Sequence, residues 1–219
     1  AHKKGAEWLW KMTSALLAGD LYIEPVYLEV GKAPLTLNAN GLWLAGQKII
    51  NINSMQLAHF NTSLFQGTAL LNYQTGLMFE SVDFSISLPE LQVAAPIYLK
   101  PFLETGIFEG ISLAGRADAR LTIAQNNVTG ISVGFEHLRL DDTQQQFYLD
   151  DAFAHINWAA HMENSPSSYI NWRQLSIKEI PFDAGKLDFI LYGKQLELLN
   201  RADLSVLGGV LLINQFSFE

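Results

Sequence analysis

The sequence contains no cysteine, which excludes a disulfide framework and any thiolate metal site. Charge is scarce as well. Lys, Arg, Asp and Glu make up 16% of the chain, against roughly 25% in ordinary soluble domains. A surface this poor in charge is either covered by a partner or faces something apolar. Positive charge is the scarcest: 14 Lys and Arg stand against 22 Asp and Glu, for a formal net charge of −8. No basic surplus exists to neutralise the phosphates of nucleic acid or to dock on anionic headgroups. No window approaches the roughly 20 apolar residues of a membrane-spanning helix. The apolar stretch Ala15–Ala18 is too short for the core of a signal peptide.

Catalytic signatures are missing too. His2, His59, His137, His155 and His161 show no metal-ligand spacing, and His155 and His161, with Glu163 nearby, read as solvated loop residues. The doublets Asp141-Asp142 and Asp150-Asp151 invite comparison with a glycosidase carboxylate pair. Both read instead as strand ends, where Asp favours turns. No serine has a Gly-x-Ser-x-Gly context, and Gly208-Gly209 reads as a turn. The expectation is a protein that is not an enzyme and takes no metal or cofactor.

What is present is apolar periodicity. Hydrophobic residues make up 49% of 219 positions, enough to bury a sizeable core. Trp8, Leu9, Met12, Ala15 and Leu16 recur at three-to-four spacing and predict a helix, stopped by Gly19-Asp20. The period then changes to two at Leu21 and Ile23, at Val26, Leu28 and Val30, and at Leu35, Leu37 and Ala39. That last run closes on the turn signal Asn38-Ala39-Asn40-Gly41. From Leu42 to Tyr73 the apolar residues are denser, as in strands buried on both faces.

Alternation resumes at Val82, Phe84, Ile86 and Leu88, and Pro96 to Thr105 predicts a short helix or helical turn, with Pro96 suited to its first position and Pro101 limiting it. The clearest strand sets Ala117, Ala119, Leu121 and Ile123 against Arg116, Asp118, Arg120 and Thr122. A turn at Gln125-Asn126-Asn127 leads to Ile131, Val133 and Phe135. The apolar phase then slips to Leu138 and Leu140, as a β-bulge near Glu136 would cause. Further strands are expected from Phe147 to Trp158 and, after the loop Glu163–Ser168, through Trp172–Ile177, Lys186–Tyr192, Leu196–Val206 and Val210–Phe218.

The fold class read from this pattern is mainly β: an elongated antiparallel sheet with one or two short helices. Residues 1–219 read as a single elongated segment of a longer protein, with a sub-boundary expected near 90–110; the start at Ala1 and the strand-like end at Phe216–Glu219 suggest the same. Strand after strand carries one aliphatic side. Two such sheets can close as a sandwich core, or one can stay open as a groove, and periodicity does not separate the two.

Several local patterns add to this. They are the amphipathic turn Ala95–Leu103, the Gly110–Gly115 entry to a charged-out strand, Gly130-Ile131-Ser132-Val133, and Leu138–Asp142. Others are the strand Asp151–Trp158 ending in tryptophan, Ile170-Asn171-Trp172, Phe182–Gly185, and the Gly-Gly step in Leu207–Ile213. On these residues the C-terminal half resembles the AsmA-like superfamily of the Gram-negative envelope, and most nearly its YdbH branch. The first 90 residues resemble it only in style. The resemblance implies a taco-like open β-groove in a long protein that spans the periplasm from an inner-membrane anchor outside this chain. It further implies that the groove carries phospholipid or another acyl-chain lipid between membranes, in the service of outer membrane biogenesis, with envelope proteins as partners at the outer-membrane end.

The candidate lipid-binding wall then comprises Phe84 and Ile86, then Ala117, Ala119, Leu121 and Ile123. Ile131, Val133 and Phe135 follow, and Phe189 and Leu191 complete it. The alternative is a β-sandwich adhesion or glycan-binding module with a closed aliphatic core and the aromatics Trp43, Trp158, Trp172, Tyr98 and Tyr169 outside. Neither reading has nucleic acid as a partner.

Overall fold

The structure, a computed structural model, describes residues 3, 4, 7–23, 26–30, 33–60, 62–99, 103, 109–144, 146–214, 217 and 218. In chain order the first strands are β1 (Lys3–Lys4), β2 (Glu7–Leu16), β3 (Asp20–Ile23), β4 (Val26–Glu29), β5 (Leu35–Leu44), β6 (Ile49–His59), β7 (Thr62–Asn72) and β8 (Met78–Leu88). A short helix α1 (Leu91–Ala94) continues into one wide turn, Ala95–Leu99. Then come β9 (Ile111–Ala124), β10 (Asn127–Asp142), β11 (Phe147–Ala159), β12 (Ser168–Trp172), β13 (Gln174–Ile177), β14 (Ile180–Phe182) and β15 (Gly185–Tyr192). The last are β16 (Gln195–Leu198), β17 (Ala202–Val206), β18 (Gly209–Ile213) and β19 (Ser217–Phe218). The fold is mainly β, and its antiparallel sheet is open rather than closed into a barrel.

Two compact units result. The first holds residues 1–23, 27–87 and the hairpin arm 119–131; the second holds 24–26, 88–118 and 132–219. In the first unit β2, β5, β6, β7 and β8 pair in sequence order, each antiparallel to the next. Gln125 and Asn126, at the tip of the β9–β10 hairpin, donate to the carbonyls of Phe79 and Glu80 on β8 at 3.0–3.2 Å. That tip, Gln125-Asn126, has both residues left-handed (φ 51° and 63°), the two-residue turn whose twist suits a hairpin.

Three expectations are corrected in this region. Residues 7–16 form a strand, not a helix, and all ten pair with β5. Trp8, Trp10 and Met12 share one side of it, a period of two that outweighs the weaker three-to-four spacing once a partner strand is present. The turn expected at Asn38–Gly41 is also absent, since β5 runs straight through it and Asn40/Gly41 marks a register shift against β6. Finally, β6 and β7 are not buried on both faces. Register shifts at Ile52/Met55, Leu57/Ala58 and Leu70/Leu71 break the alternation in sequence while keeping it in space.

The second unit has a closed core. Leu91, Ala117, Leu138, Leu149, Ala152, Trp172, Ala202 and Leu204 are buried together. At Trp172-Arg173 the sheet forks: β11 pairs antiparallel with both β12 and β13. One arm continues through β15, β16 and β19, the other through β14, β17 and β18, and side chains of both arms meet in that core. The helix begins at Leu91 and carries Pro96 in the turn that follows rather than at its first position; residues 100–102, 104 and 105 of the expected helix lie outside the described residues.

A line of left-handed residues crosses three successive strands here: Gly115 (φ 109°), His137 (φ 50°) and Asp151 (φ 49°). A Cβ on Gly115 would overlap the carbonyls of Glu136 and His137. Beside them His137 Nδ1 donates to the Asp151 carboxylate at 2.8 Å. Glu136 and His137 are both exposed while Leu138 is buried, so the phase slip falls where the sequence places it.

Glycines elsewhere serve a different purpose. Gly41, Gly67 and Gly185 are the direct cross-strand partners of Trp10, Phe84 and Trp172. In each pair the aromatic ring lies where a Cβ on the glycine would be. Gly185→Ala is therefore expected to push Trp172 out of the core and cost about 1–3 kcal/mol. Gly46→Ala, in a turn with open space around it, should be neutral or slightly stabilising. Urea midpoints followed by tryptophan fluorescence check both, and equal midpoints for the two variants would refute the packing argument.

Candidate functional site

Strand register in the first unit places side chains in rows that cross five strands. The first row is Trp8, Trp43, Ile50, Leu71 and Phe79, and the second is Trp10, Gly41, Ile52, Ala69 and Val82. The third is Met12, Ala39, Met55, Gly67 and Phe84; the fourth is Ser14, Leu37, Leu57, Phe65 and Ile86. Nineteen of these twenty positions are apolar or glycine. The opposite face carries Lys11, Thr13, Asn38, Asn40, Asn51, Ser54, Gln56, Gln66, Thr68, Ser81, Asp83 and Ser85, interrupted by Leu9, Leu42 and Leu70.

The apolar face keeps part of its large side chains accessible over these rows. Small residues at its centre, Ala39, Ala69 and Val82, are buried by their larger neighbours. The large side chains are not: Met12 and Ile86 are each 43% exposed, Trp43 42% and Phe79 37%. An opposing layer would leave such residues nearly inaccessible. Phe65 and Phe84 pack ring to ring at 4.4 Å within the face, so part of their area is hidden laterally rather than from above.

The two ends of the rows differ. Beyond the fourth row Val30, Leu35 and His59 are buried, and a ring nitrogen of His59 bonds the Ala33 carbonyl at 3.2 Å. Burial pushes the His59 pKa below its ordinary 6.5, which leaves the ring neutral. At the other end Trp8 and Trp43 lie 6.5 Å apart, and Trp43 Nε1 donates to the Tyr73 hydroxyl at 2.6 Å. Polar turns adjoin them: Asn72 Nδ2 donates to Glu80, and Gln74 Nε2 donates to the Gln47 carbonyl.

Five of the eleven residues singled out in the sequence come together on this face. Phe84 and Ile86 sit in the third and fourth rows. Arg120 pairs with Asp83 on the polar side and holds its carboxyl below the usual range, so Ala119, Leu121 and Ile123, alternating with Arg120, face the apolar side. Ile131 does not join them. Thr129 Oγ1 donates to Thr122 on the polar side, and Ile131 falls on that same side.

The rest belong to the second unit. Ala117 is buried in its core and Phe135 packs against that core. Val133 lies on the same side of β10 as Phe135 by alternation. Phe189 and Leu191 share a side of β15 with Leu187, which also packs on the core. The signal missed in the sequence was Trp8-x-Trp10-x-Met12, whose period of two competes with a three-to-four spacing that fits the same stretch. The contribution of β6 was hidden by its register shift at Ile52/Met55.

The chemistry-bearing residues are engaged locally. Asp142 is buried and accepts the backbone N–H groups of Gln144 and Gln146, the turn role expected of it. Asp141 pairs with Arg139, Asp150 with Arg173, and Asp151 with His137. The second doublet lies inside β11 and not at a strand end as expected. Among the described residues no three His, Asp or Glu side chains converge as a metal site would require.

His59 supplies a pH test. Its folded pKa is lowered, so the unfolded chain takes up the proton first as pH falls through about 6.5, and the folded state loses stability below that point. Urea midpoints should fall from pH 7.5 to 5.5 in the wild type and fall less steeply in His59→Gln. Parallel slopes would show that His59 is not held neutral.

Comparison with known protein families, with curated proteins and with solved structures returns no match.

Proposed function

We propose that this chain binds phospholipid acyl chains on the uncovered apolar face of its first unit and passes them along that face. In this reading it is a segment of an AsmA-like envelope protein of the YdbH type. That protein spans the periplasm from an inner-membrane anchor outside this chain, forms a taco-like groove, and meets envelope proteins at the outer-membrane side. The observation that carries the reading is the set of four apolar rows, half-exposed and free of charge, set against a polar reverse face.

Dimensions and energies support it. Four rows two residues apart extend about 20 Å along the strands, and five strands span about 19 Å across them. One lipid leaflet, half of a hydrocarbon core of about 30 Å, is about 15 Å deep, so an acyl chain fits within the face. A chain of about 16 carbons at about 0.8 kcal/mol per methylene is held by roughly 13 kcal/mol against escape into water. Moving along the rows exchanges one aliphatic contact for another, so each step has little net cost. A conduit needs interchangeable Leu, Ile, Phe and Met contacts, and the low charge of the chain suits that task.

A second reading has one observation of its own. On β11 and β12 the exposed rings of His155 and Tyr169 lie side by side, 6.4 Å apart and 26° from parallel, with Lys186 over the Tyr169 ring. A flat pair of rings flanked by Ser132 and Asp188 is a shelf on which a sugar ring can stack. Adhesion or glycan binding is the function it would serve.

Native mass spectrometry of the purified chain separates the two. Phospholipid should copurify, and Ile86→Arg or Leu121→Arg should lower its occupancy at least about tenfold, the effect of some 1.4 kcal/mol, with the far-UV spectrum unchanged. Ile131→Arg, on the polar side, should keep the wild-type load. Wild-type lipid occupancy in Ile86→Arg, or sugar affinity lost in Tyr169→Ala with no lipid in any preparation, would overturn the lipid reading.

A further inference from the structure

We infer that a bound phospholipid has one fixed orientation: its headgroup lies at the Trp8, Trp43 and Tyr73 rim and its acyl chains run along the strands toward the fourth row. The inference rests on the lipid reading above and adds a direction to it. It starts from the difference between the two ends of the rows.

A phospholipid is itself two-ended, so the end of the face that receives its phosphate must supply hydrogen-bond donors and tolerate water. The first-row end does both. Tyr73 accepts the Trp43 indole N–H and so keeps its own hydroxyl proton to donate. The turn 45–48 beside it carries Lys48, exposed and cationic, and Gln47, whose carbonyl is bound by the Gln74 amide. Indole and phenol rings suit a boundary of this kind, since each has an apolar body and a polar handle. Trp8 and Trp43 are partly exposed there, 36% and 42%, as rings at a wet edge are.

The described residues buried at the opposite end offer no cation to a phosphate. Val30 is fully buried, Leu35 nearly so, and the one titratable ring among them, His59, is buried, bonded to a backbone carbonyl and held neutral. A headgroup placed against Val30, Leu35 and His59 would lose its hydration without gaining a cation from them. An acyl terminus there loses nothing. Lipid following the rows from strand to strand would then keep its headgroup on the aromatic rim, and its tails would sweep across successive strands without turning over.

Brominated lipids quench tryptophan at short range and test the orientation. The chain is loaded with phosphatidylcholine brominated at acyl carbons 4,5 or at 11,12. The Trp43 contribution is read as the difference between wild type and Trp43→Phe. A second reporter, Ile86→Trp, sits in the fourth row and three strands over, about 25 Å away, and Leu16→Trp serves if that variant does not fold. Trp43 should be quenched at least about twofold more by the 4,5 lipid, and the far reporter more by the 11,12 lipid. Quenching of both reporters without this order, or in the reverse order, overturns the orientation and leaves lipid binding standing. No quenching by either lipid, with none bound by mass, overturns the lipid reading and the orientation with it.

Discussion

Backbone pairing decides which way every side chain of the first unit points, and the rest of its properties follow from that constraint. Once β2, β5, β6, β7 and β8 are in register, residues of one parity stand on one side and their neighbours on the other. Side chains scattered through eighty residues become four apolar rows. Three register shifts in β6, β7 and β8 keep those rows aligned where a regular strand would have turned Met55 or Phe65 to the polar side. Gly41 and Gly67 let the rings of Trp10 and Phe84 lie over them, and Ala39 and Ala69 are buried among their neighbours. Packing within a single layer is the result, and the outer surface of that layer stays accessible.

The second unit handles the same kind of strands differently. Its sheet forks at Trp172-Arg173, and the two arms bury their aliphatic sides against each other. Leu138, Leu149, Leu204 and Trp172 have an opposing surface, whereas Met12, Trp43 and Ile86 stay partly exposed. The left-handed residues Gly115, His137 and Asp151 lie on three strands of this unit. One chain thus contains both outcomes open to an aliphatic strand face, the closed core and the uncovered layer.

The proposed lipid function draws on the uncovered layer alone. Acyl chains need no specific partner group, which fits a site without charge, metal ligands or a nucleophile. The carboxylates that attract notice in the sequence are committed to turns and ion pairs: Asp142 to a turn, Asp83 and Asp150 to arginines on neighbouring strands. Specificity, where present, would come from the ends of the rows, with indole, phenol and Lys48 at one and a neutral, buried His59 at the other.

The alternation at Val82–Leu88 and Ala117–Ile123 was legible in the sequence, and with it the β class, the hairpin at Gln125-Asn126 and the phase slip at Glu136. Local chemistry specifies these: a period of two, a turn that needs left-handed residues, one residue too many. The strand nature of Trp8–Leu16 was not legible, because both periods fit that stretch and only the pairing with β5 chooses between them. Nor was the side on which Ile131 lies, since alternation within a strand says nothing of which face its neighbour shares. Leu121 and Phe135 look alike in the sequence, yet one stands on an open face and the other against a core. Tertiary structure made that choice, because exposure depends on whether a second layer lies opposite, and a strand's own residues carry no record of what faces it.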